Sequence, residues 1–421
     1  MGKRTWRTRS GVVSAVAVLA LVAAACGSSS KKTTASSGAG ATSGSGASKC
    51  AGAADATAVK IGANVAVTGG AANIGSVWKQ GLELGVDAAN KAGITVGGKC
   101  FKLTMDLQDN TTKPERAIGI NQQFLAQGLK YVFGPGVSTL FTPAFESLKG
   151  TDTLVVSPAT TVAPLLGTAD GKLLFHTHIP DAGDKGRLAA MSAAVVDRFK
   201  PTTAAILLPQ DAAGDVHVKG FTDGFKAKNV NVSYSQRFDP ATNDFAPFIA
   251  AIKAKNPDMV VIGYLDKWVE PFLAQAVQAG LTTPVFVGSP GSTFAAAANK
   301  TAITKYAISV TTRAVDDPTD TKTKVFRDAF QAKYGSAPTA GSFWALSYYD
   351  AVQMLARAME VAGTVDNTAS VATALHKTEV TQYPGRALDL TFTSTNEASY
   401  SPQMGYLEGG KTSYQEITLG G

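Results

Sequence analysis

The stretch Val59-Lys-Ile-Gly-Ala-Asn-Val-Ala-Val67, followed by Thr68-Gly69-Gly70, decides the fold. It is apolar and rich in β-branched residues, so it reads as a buried strand closed by a turn. Helical spacing then begins at Ile74 and runs to Ala92, with apolar residues at Val77, Leu82, Leu84, Val86 and Ala89 and a stop at Gly93. The same order repeats downstream. Phe101–Leu107 reads as a strand, Pro114–Gln127 as a helix, Tyr131–Gly134 as a strand, Thr142–Leu148 as the start of a helix and Leu154–Ser157 as a strand. Short apolar runs alternating with longer helices imply βαβ units and a parallel sheet.

After Pro180 the pattern starts again. Helices over Lys185–Phe199, Val216–Lys228, Phe245–Lys255 and Glu270–Ala279 alternate with strands at Ala204–Leu208, Val230–Phe238, Met259–Tyr264 and Val285–Gly288. A long helix from Phe343 to Val361 comes last. Two matched α/β halves predict a bilobed protein: two Rossmann-like lobes with parallel central sheets. In such a fold a ligand sits at the carboxyl ends of the strands, in the crevice between lobes.

The ends of the chain speak to location. Lys3, Arg4, Arg7 and Arg9 precede an apolar run, Val12–Ala25, broken by Ser14. A basic head, a short apolar segment and small residues at Ala23-Ala24-Ala25 describe an export signal over 1–25. The run of about 14 residues is shorter than the roughly 20 of a bilayer span. Cys26 directly after it resembles a bacterial lipobox, which implies cleavage before Cys26 and lipid on its sulfur, although Ala23 stands where that motif usually has a large aliphatic residue. Residues 26–57 begin with a stretch, Gly27–Lys49, made only of Gly, Ser, Lys, Thr and Ala. Such chain is a flexible coil with a reach on the order of 25 Å, a leash between lipid and folded body.

The sequence carries a formal charge of +7. Four positive charges lie in the leader, and Lys31, Lys32 and Lys49 in the linker account for the remainder, leaving the body about neutral. No basic stripe suggests nucleic acid. About 370 residues of body favour two domains. With Cys26 assigned to lipid, Cys50 and Cys100 remain, and in an oxidising compartment such a pair reads as a structural disulfide. If the strands following them are parallel neighbours, both cysteines sit at one end of the sheet.

Taken in order, Val59-Lys-Ile-Gly62, Thr68-Gly69, Gly81, Ala88-Ala89-Asn90, Asp109, Pro114-Glu115, Ala117, Gly134, Ser138, Pro143-Ala144, Ser157-Pro158-Ala159-Thr160-Thr161 and Asp258-Met-Val-Val-Ile-Gly263 resemble the type I periplasmic binding proteins. The closest group is the branched-chain amino acid receptors of ABC importers. The resemblance covers the chain from Val59 onward. It implies three crossings between lobes, placed near Ile179–Asp181, Thr311–Ala314 and Tyr383–Thr391. The N-lobe is then 58–180 plus 313–382, and the C-lobe 181–312 plus 383–421.

In the resembled receptors two strand-to-helix loops hold the ligand carboxylate, which implies Ser138 and Thr139 from one loop and Ala159, Thr160 and Thr161 from the other. Hydroxyls and free amides at helix N-termini suit an anion; the alternative is that Ser138 and Thr161 only cap their helices. The resemblance also implies a C-lobe acid for the ligand ammonium, and the matching position holds Pro290. An expected aromatic is replaced by Ala213. Asp211 and Asp266 are the candidate substitutes, with Tyr264 and Trp268 as flat apolar walls, and Trp78 is expected to pack on its own helix. The solute is accordingly left open among amino acids, amides and carboxylic acids.

The implied role is an extracytoplasmic solute-binding lipoprotein, a monomer without cofactor or metal, that serves an ABC permease and touches the membrane through its lipid only. A surface receptor that signals through a membrane kinase or protein partner is the alternative. Enzyme chemistry has little support. There is no G-x-S-x-G, H-E-x-x-H or Walker A pattern, and His176-x-His178 lacks a visible third metal ligand.

Overall fold

The computed structural model describes residues 49–181, 186–264, 266–287, 307–311, 313, 315–408 and 411–419. The leader, Cys26, almost all of the linker, and Pro290 lie outside them.

Strand β1, Thr57–Val65, is buried continuously from Ile61 to Val65, so it is covered on both faces. It pairs in parallel with β3, Lys99–Asp109, on one side and with β4, Tyr131–Phe133, on the other. Outward from β4 lie β5, Leu154–Ser157, and β6, Leu174–His176. A short β2, Ile94–Val96, caps the far edge antiparallel to β3. The register Thr57↔Phe101 brings the chain leading into β1 beside the first residues of β3, and Cys50 is disulfide-bonded there to Cys100, the second residue of β3.

Helix α1, Ala72–Ala92, buries Trp78, Leu82, Leu84 and Ala89. Its main partner is the helix Phe343–Ala362, which is buried on nearly all sides within the first core, against α1, β2 and the short helices Thr368–Ala374 and Thr378–Thr381. The approach is close. A Cβ on Gly81 would lie 2.3 Å from the Ala345 carbonyl oxygen. Helices α2, Pro114–Ala126, and α3, Ser138–Phe145, help cover the other face, around Phe124, Val132, Phe141 and Val155.

The second sheet is centred on β7, Thr203–Pro209, β9, Met259–Ile262, and β10, Val285–Val287, with β8, Asn231–Phe238, at one edge. These strands and β11, Ala307–Thr311, run parallel. The other edge is an antiparallel hairpin, β14 (Gln403–Glu408) and β15 (Lys411–Glu416), so this sheet is mixed where an all-parallel one was expected. Helices α4 (Arg187–Phe199) and α5 (Ala212–Ala227) cover one face, and α6 (Ala246–Lys255) and α7 (Asp266–Gln278) the other. A two-stranded ladder, β12 (Thr391–Phe392) with β13 (Ala398–Ser399), lies beside the end of β6, where the His176 N–H donates to the Asn396 carbonyl at 3.0 Å.

Core membership locates where the chain changes lobe. Ile179 belongs to the first core and Leu188 to the second. Strand β11 ends at Thr311 in the second sheet, and Val315 is back in the first core. The last passage falls between Tyr400 and Met404, later than the 383–391 read from sequence. The reason is Asp350. Its buried carboxylate accepts the Ala387 N–H at 2.8 Å and the Leu388 N–H at 2.6 Å, tying that segment to the first lobe. Leu388, Leu390, Ala398 and Tyr400 then bury in the first core.

Candidate functional site

The strand ends position a cavity between the two sheets. The loop after β1 is gathered by Asp109, whose Oδ1 accepts the N–H groups of Val67 and Thr68 and whose Oδ2 accepts the Thr68 hydroxyl at 2.6 Å. This sets the start of α1, so that Ala71, Ile74 and Trp78 face the crevice. The loop after β4 brings Gly136, Val137, Ser138 and Thr139, and Pro158 follows β5. Gly136 is needed for space, because a Cβ there would lie 2.5 Å from Cζ3 of Trp78. From the second lobe come Asp211 and Ala213 after β7, and Tyr264 after β9. These residues, with His178, Arg187, His217 and Trp344, line a cavity of about 120 Å³. A crevice at the carboxyl ends of parallel strands is where open α/β sheets bind ligands.

Four of the residues expected at the site line this cavity: Ser138, Thr139, Asp211 and Tyr264. Ser138 is the first residue of α3, whose cap is Val137. Ala159 and Thr161 do not line it. Ala159 is buried, and its N–H donates to Ser157 Oγ at 3.2 Å. The Thr161 hydroxyl donates to the Ser138 carbonyl at 3.2 Å, so it braces the loop that carries Ser138. Thr160 opens the same short 3₁₀ turn, and its side chain is outside the described atoms. Asp266, expected in a loop, is the first residue of α7, and its side chain is likewise outside them. Trp268 packs behind Tyr264, with ring centroids 5.3 Å apart, and its Nε1–H donates to the Pro240 carbonyl. Trp78, expected chiefly to pack on its own helix with ligand contact as the lesser alternative, is a wall of the cavity.

Sequence reasoning missed His178, Arg187, His217 and Trp344. The available signals were His176-x-His178 beside the first crossing and the polar residues at the start of α4. Nothing in the sequence showed that α5 would carry His217 to the same point.

The electrostatics centre on Asp181, Arg187 and His217, all buried. Arg187 Nε donates to Asp181 Oδ1. His217 Nε2 lies 3.5 Å from Asp181 Oδ2 and 3.4 Å from Arg187 Nη2. Burial pushes the Asp181 carboxyl up, but the Arg187 guanidinium and the His217 bond outweigh it and hold it well below the usual carboxylate range. His178 is driven the other way: burial, then the charge of Arg187, push it down to about 3, so it is neutral at physiological pH. Its Nδ1 is 3.0 Å from the Ile179 carbonyl, which can only accept, so Nδ1 carries the proton and Nε2 is left as an acceptor. Asp211 caps α5, accepting the Gly214 N–H at 2.8 Å, and accepts the Tyr264 hydroxyl on the same oxygen. Burial, reinforced by the Asp211 charge, pushes the Tyr264 phenol far above its ordinary value, so it stays a donor.

The family described as periplasmic binding protein matches residues 58–402. The chain belongs to the periplasmic binding protein family. The Leu/Ile/Val-binding protein of Escherichia coli K12 is 29% identical over 233 residues, which span 55% of this chain and 61% of that protein. The Leu/Ile/Val-binding protein homolog 3 of Brucella melitensis is 28% identical over 329 residues, 76% of this chain and 83% of that protein. Among solved structures, the branched-chain amino acid transporter substrate binding protein LivJ from Streptococcus pneumoniae, in complex with isoleucine, superposes with a TM-score of 0.72 at 20% identity, over 86% of this chain and 100% of that one. A solute binding protein of an ABC transporter from R. palustris, in complex with benzoate, does so with a TM-score of 0.72 at 17% identity, over 86% and 97%. The fold is therefore that of a type I periplasmic binding protein, and the cavity lies in the interlobe crevice of such a protein.

Proposed function

We propose that this protein is the extracytoplasmic solute-binding component of an ABC importer, and that it captures a small organic solute with a carboxylate or amide end. The observation that carries this reading is the cavity itself: residues from the strand ends of both sheets line one shared space, as capture between two lobes requires. The carboxylate end would lie at Ser138 and Thr139, where α3 begins and the positive end of its dipole favours an anion. Closure would turn the second lobe, 181–312 plus the C-terminal hairpin, about the three passages of chain. The ligands in the relatives' names, Leu, Ile and Val, and the isoleucine and benzoate in the two structures support a solute of this size.

The leader and Cys26 support the rest of the reading. The signal over 1–25 is removed, Cys26 takes a lipid, and the linker keeps a monomeric receptor near its permease, raising its local concentration there. Thermal unfolding against a panel of amino acids, their des-amino acids and amides tests the binding. A ligand specific to the folded state raises the midpoint by mass action, and a panel without any shift counts against solute capture. Mass spectrometry of the protein from its native membrane tests the anchor: a mature chain beginning anywhere but Cys26 refutes it.

A further inference from the structure

We infer that the second passage of chain between the lobes carries an ionic latch: Arg313 trades Glu416 of the second lobe against Asp320 of the first as the lobes move, so that residues outside the cavity set how tightly the solute is held. This rests on the proposed reading of the cavity as a solute site between two moving lobes, and adds a control to it.

Arg313 lies between the end of β11 at Thr311 and Val315, which is back in the first core. It is 3% exposed. A guanidinium cannot shed its charge, so one buried here needs anions around it. They come from both lobes. Nη1 donates to Glu416 Oε1 at 2.8 Å, and Glu416 ends β15, in the hairpin edge of the second sheet. Asp320 and Asp389 stand on the first-lobe side. The Arg327 guanidinium donates to the Asp320 carbonyl at 2.6 Å, which ties Asp320 to the helix Lys324–Tyr334 and its core residue Phe326. Asp389 sits between Leu388 and Leu390, both in the first core.

The two sides are unequally paired, and this makes an exchange possible. The second-lobe bond is made, whereas the first-lobe contacts stop short. Nε is 3.8 Å from Asp320 Oδ2, and Nη2 is 3.8 Å from Asp389 Oδ2. Asp389 is already answered by Lys322 and Arg386. Asp320 is not: among the described residues its Oδ2 and the Arg313 Nε are buried without a hydrogen-bond partner. A shift of about 1 Å would join them, and leaving both open costs free energy in the observed arrangement. Glu416 holds it there. The Tyr414 hydroxyl, also on β15, works in the same sense by donating to Asp316 Oδ1, one residue after Val315. In this arrangement α5 of the second lobe approaches α3 and the 3₁₀ turn Thr160–Leu165 of the first, and both lobes line the cavity, so it is the solute-holding one. When the second lobe turns away, β15 takes Glu416 with it and Arg313 closes on Asp320. Neither these two acids nor Arg313 is among the described residues lining the cavity.

The test is calorimetric titration of the full chain with L-isoleucine, L-leucine and benzoate, on the parent, Glu416→Gln and Asp320→Asn. The Glu416 side chain is 62% exposed, so its replacement spares the core. Loss of the second-lobe anion favours the open arrangement, and Glu416→Gln should weaken binding of any probe the parent takes by about fivefold. Asp320→Asn removes the competing anion while keeping an oxygen for the Lys322 N–H, and should tighten binding by about twofold or more. The opposite signs separate a latch from general damage to the fold, which cannot tighten binding. Equal affinity in the parent and Glu416→Gln, or an Asp320→Asn variant that fails to bind more tightly, overturns the inference and leaves solute capture standing. Absence of binding by every probe to the parent overturns both.

Discussion

Replacing Asp181 by Asn should destabilise the protein by about 3–5 kcal/mol, the usual cost of leaving a buried charge without its partner. Arg187 is 3% exposed. Its Nη1 lies 3.5 Å from Met191 Sδ and its Nη2 3.4 Å from His217 Nε2, and neither group is an anion. The pair also sits where the chain leaves the first core. The Arg187 N–H donates to the Pro180 carbonyl at 2.7 Å, and the Leu188 N–H to that of Asp181 at 3.3 Å. Urea unfolding at pH 7 of Asp181→Asn, Arg187→Met and the double variant gives the coupling. Each single variant should lose several kcal/mol. The double should lie within about 2 kcal/mol of the parent, because an apolar replacement of a buried pair is often neutral. The pH dependence has a definite sign. The Asp181 pKa is depressed in the folded state, so its contribution is present above the unfolded value, about 3.9, and is lost as pH falls through the folded one. The parent's advantage over Asp181→Asn should therefore shrink only below about pH 4. A loss under 1 kcal/mol in Asp181→Asn, or additive losses in the double variant, would refute the argument.

Reducing the disulfide, or replacing Cys50 and Cys100 by Ser, should cost about 4 kcal/mol for a closed loop of 50 residues, read as a lowered urea midpoint. Gly81→Ala must push α1 away from the helix Phe343–Ala362, since its Cβ would meet a backbone oxygen at 2.3 Å. The expected loss is about 1–3 kcal/mol, with weaker solute binding because Trp78 and Trp344 lie on those helices; unchanged stability would mean the helices are less tightly engaged. Asp350 gives a trend opposite to that of Asp181. Burial pushes its carboxyl up to about 7, so its contribution is full below the unfolded value and is lost as pH rises through 7. Comparison with Asp350→Asn should show the parent losing ground by a few kcal/mol between about pH 4 and pH 8, and a pH-independent difference would contradict the shift.

The residues that announce themselves in sequence are those whose role is local. The apolar runs around Val59–Val67 and Met259–Ile262 form strands because continuous β-branched chain can only be buried on both faces. The loops holding Ser138 and Asp211 lie at the crevice because a parallel strand must end before its helix begins. The site's first-lobe loop and its second-lobe acid were therefore legible. His178, Arg187, His217 and Trp344 were not, since each is unremarkable within its own helix or loop. They meet because α4 and α5 pack against each other on the second sheet and the first crossing runs beside them. The mixed edge of the second sheet and the late third crossing were hidden for the same reason. Strand order and the Asp350 bonds to Ala387 and Leu388 are set by contacts distant in sequence, with no local period to betray them. Local alternation of apolar and polar residues determined that this chain makes two α/β sheets with a crevice between them. The charge balance and open hydrogen bonds inside that crevice depend on long-range packing and desolvation, which only the tertiary structure decides.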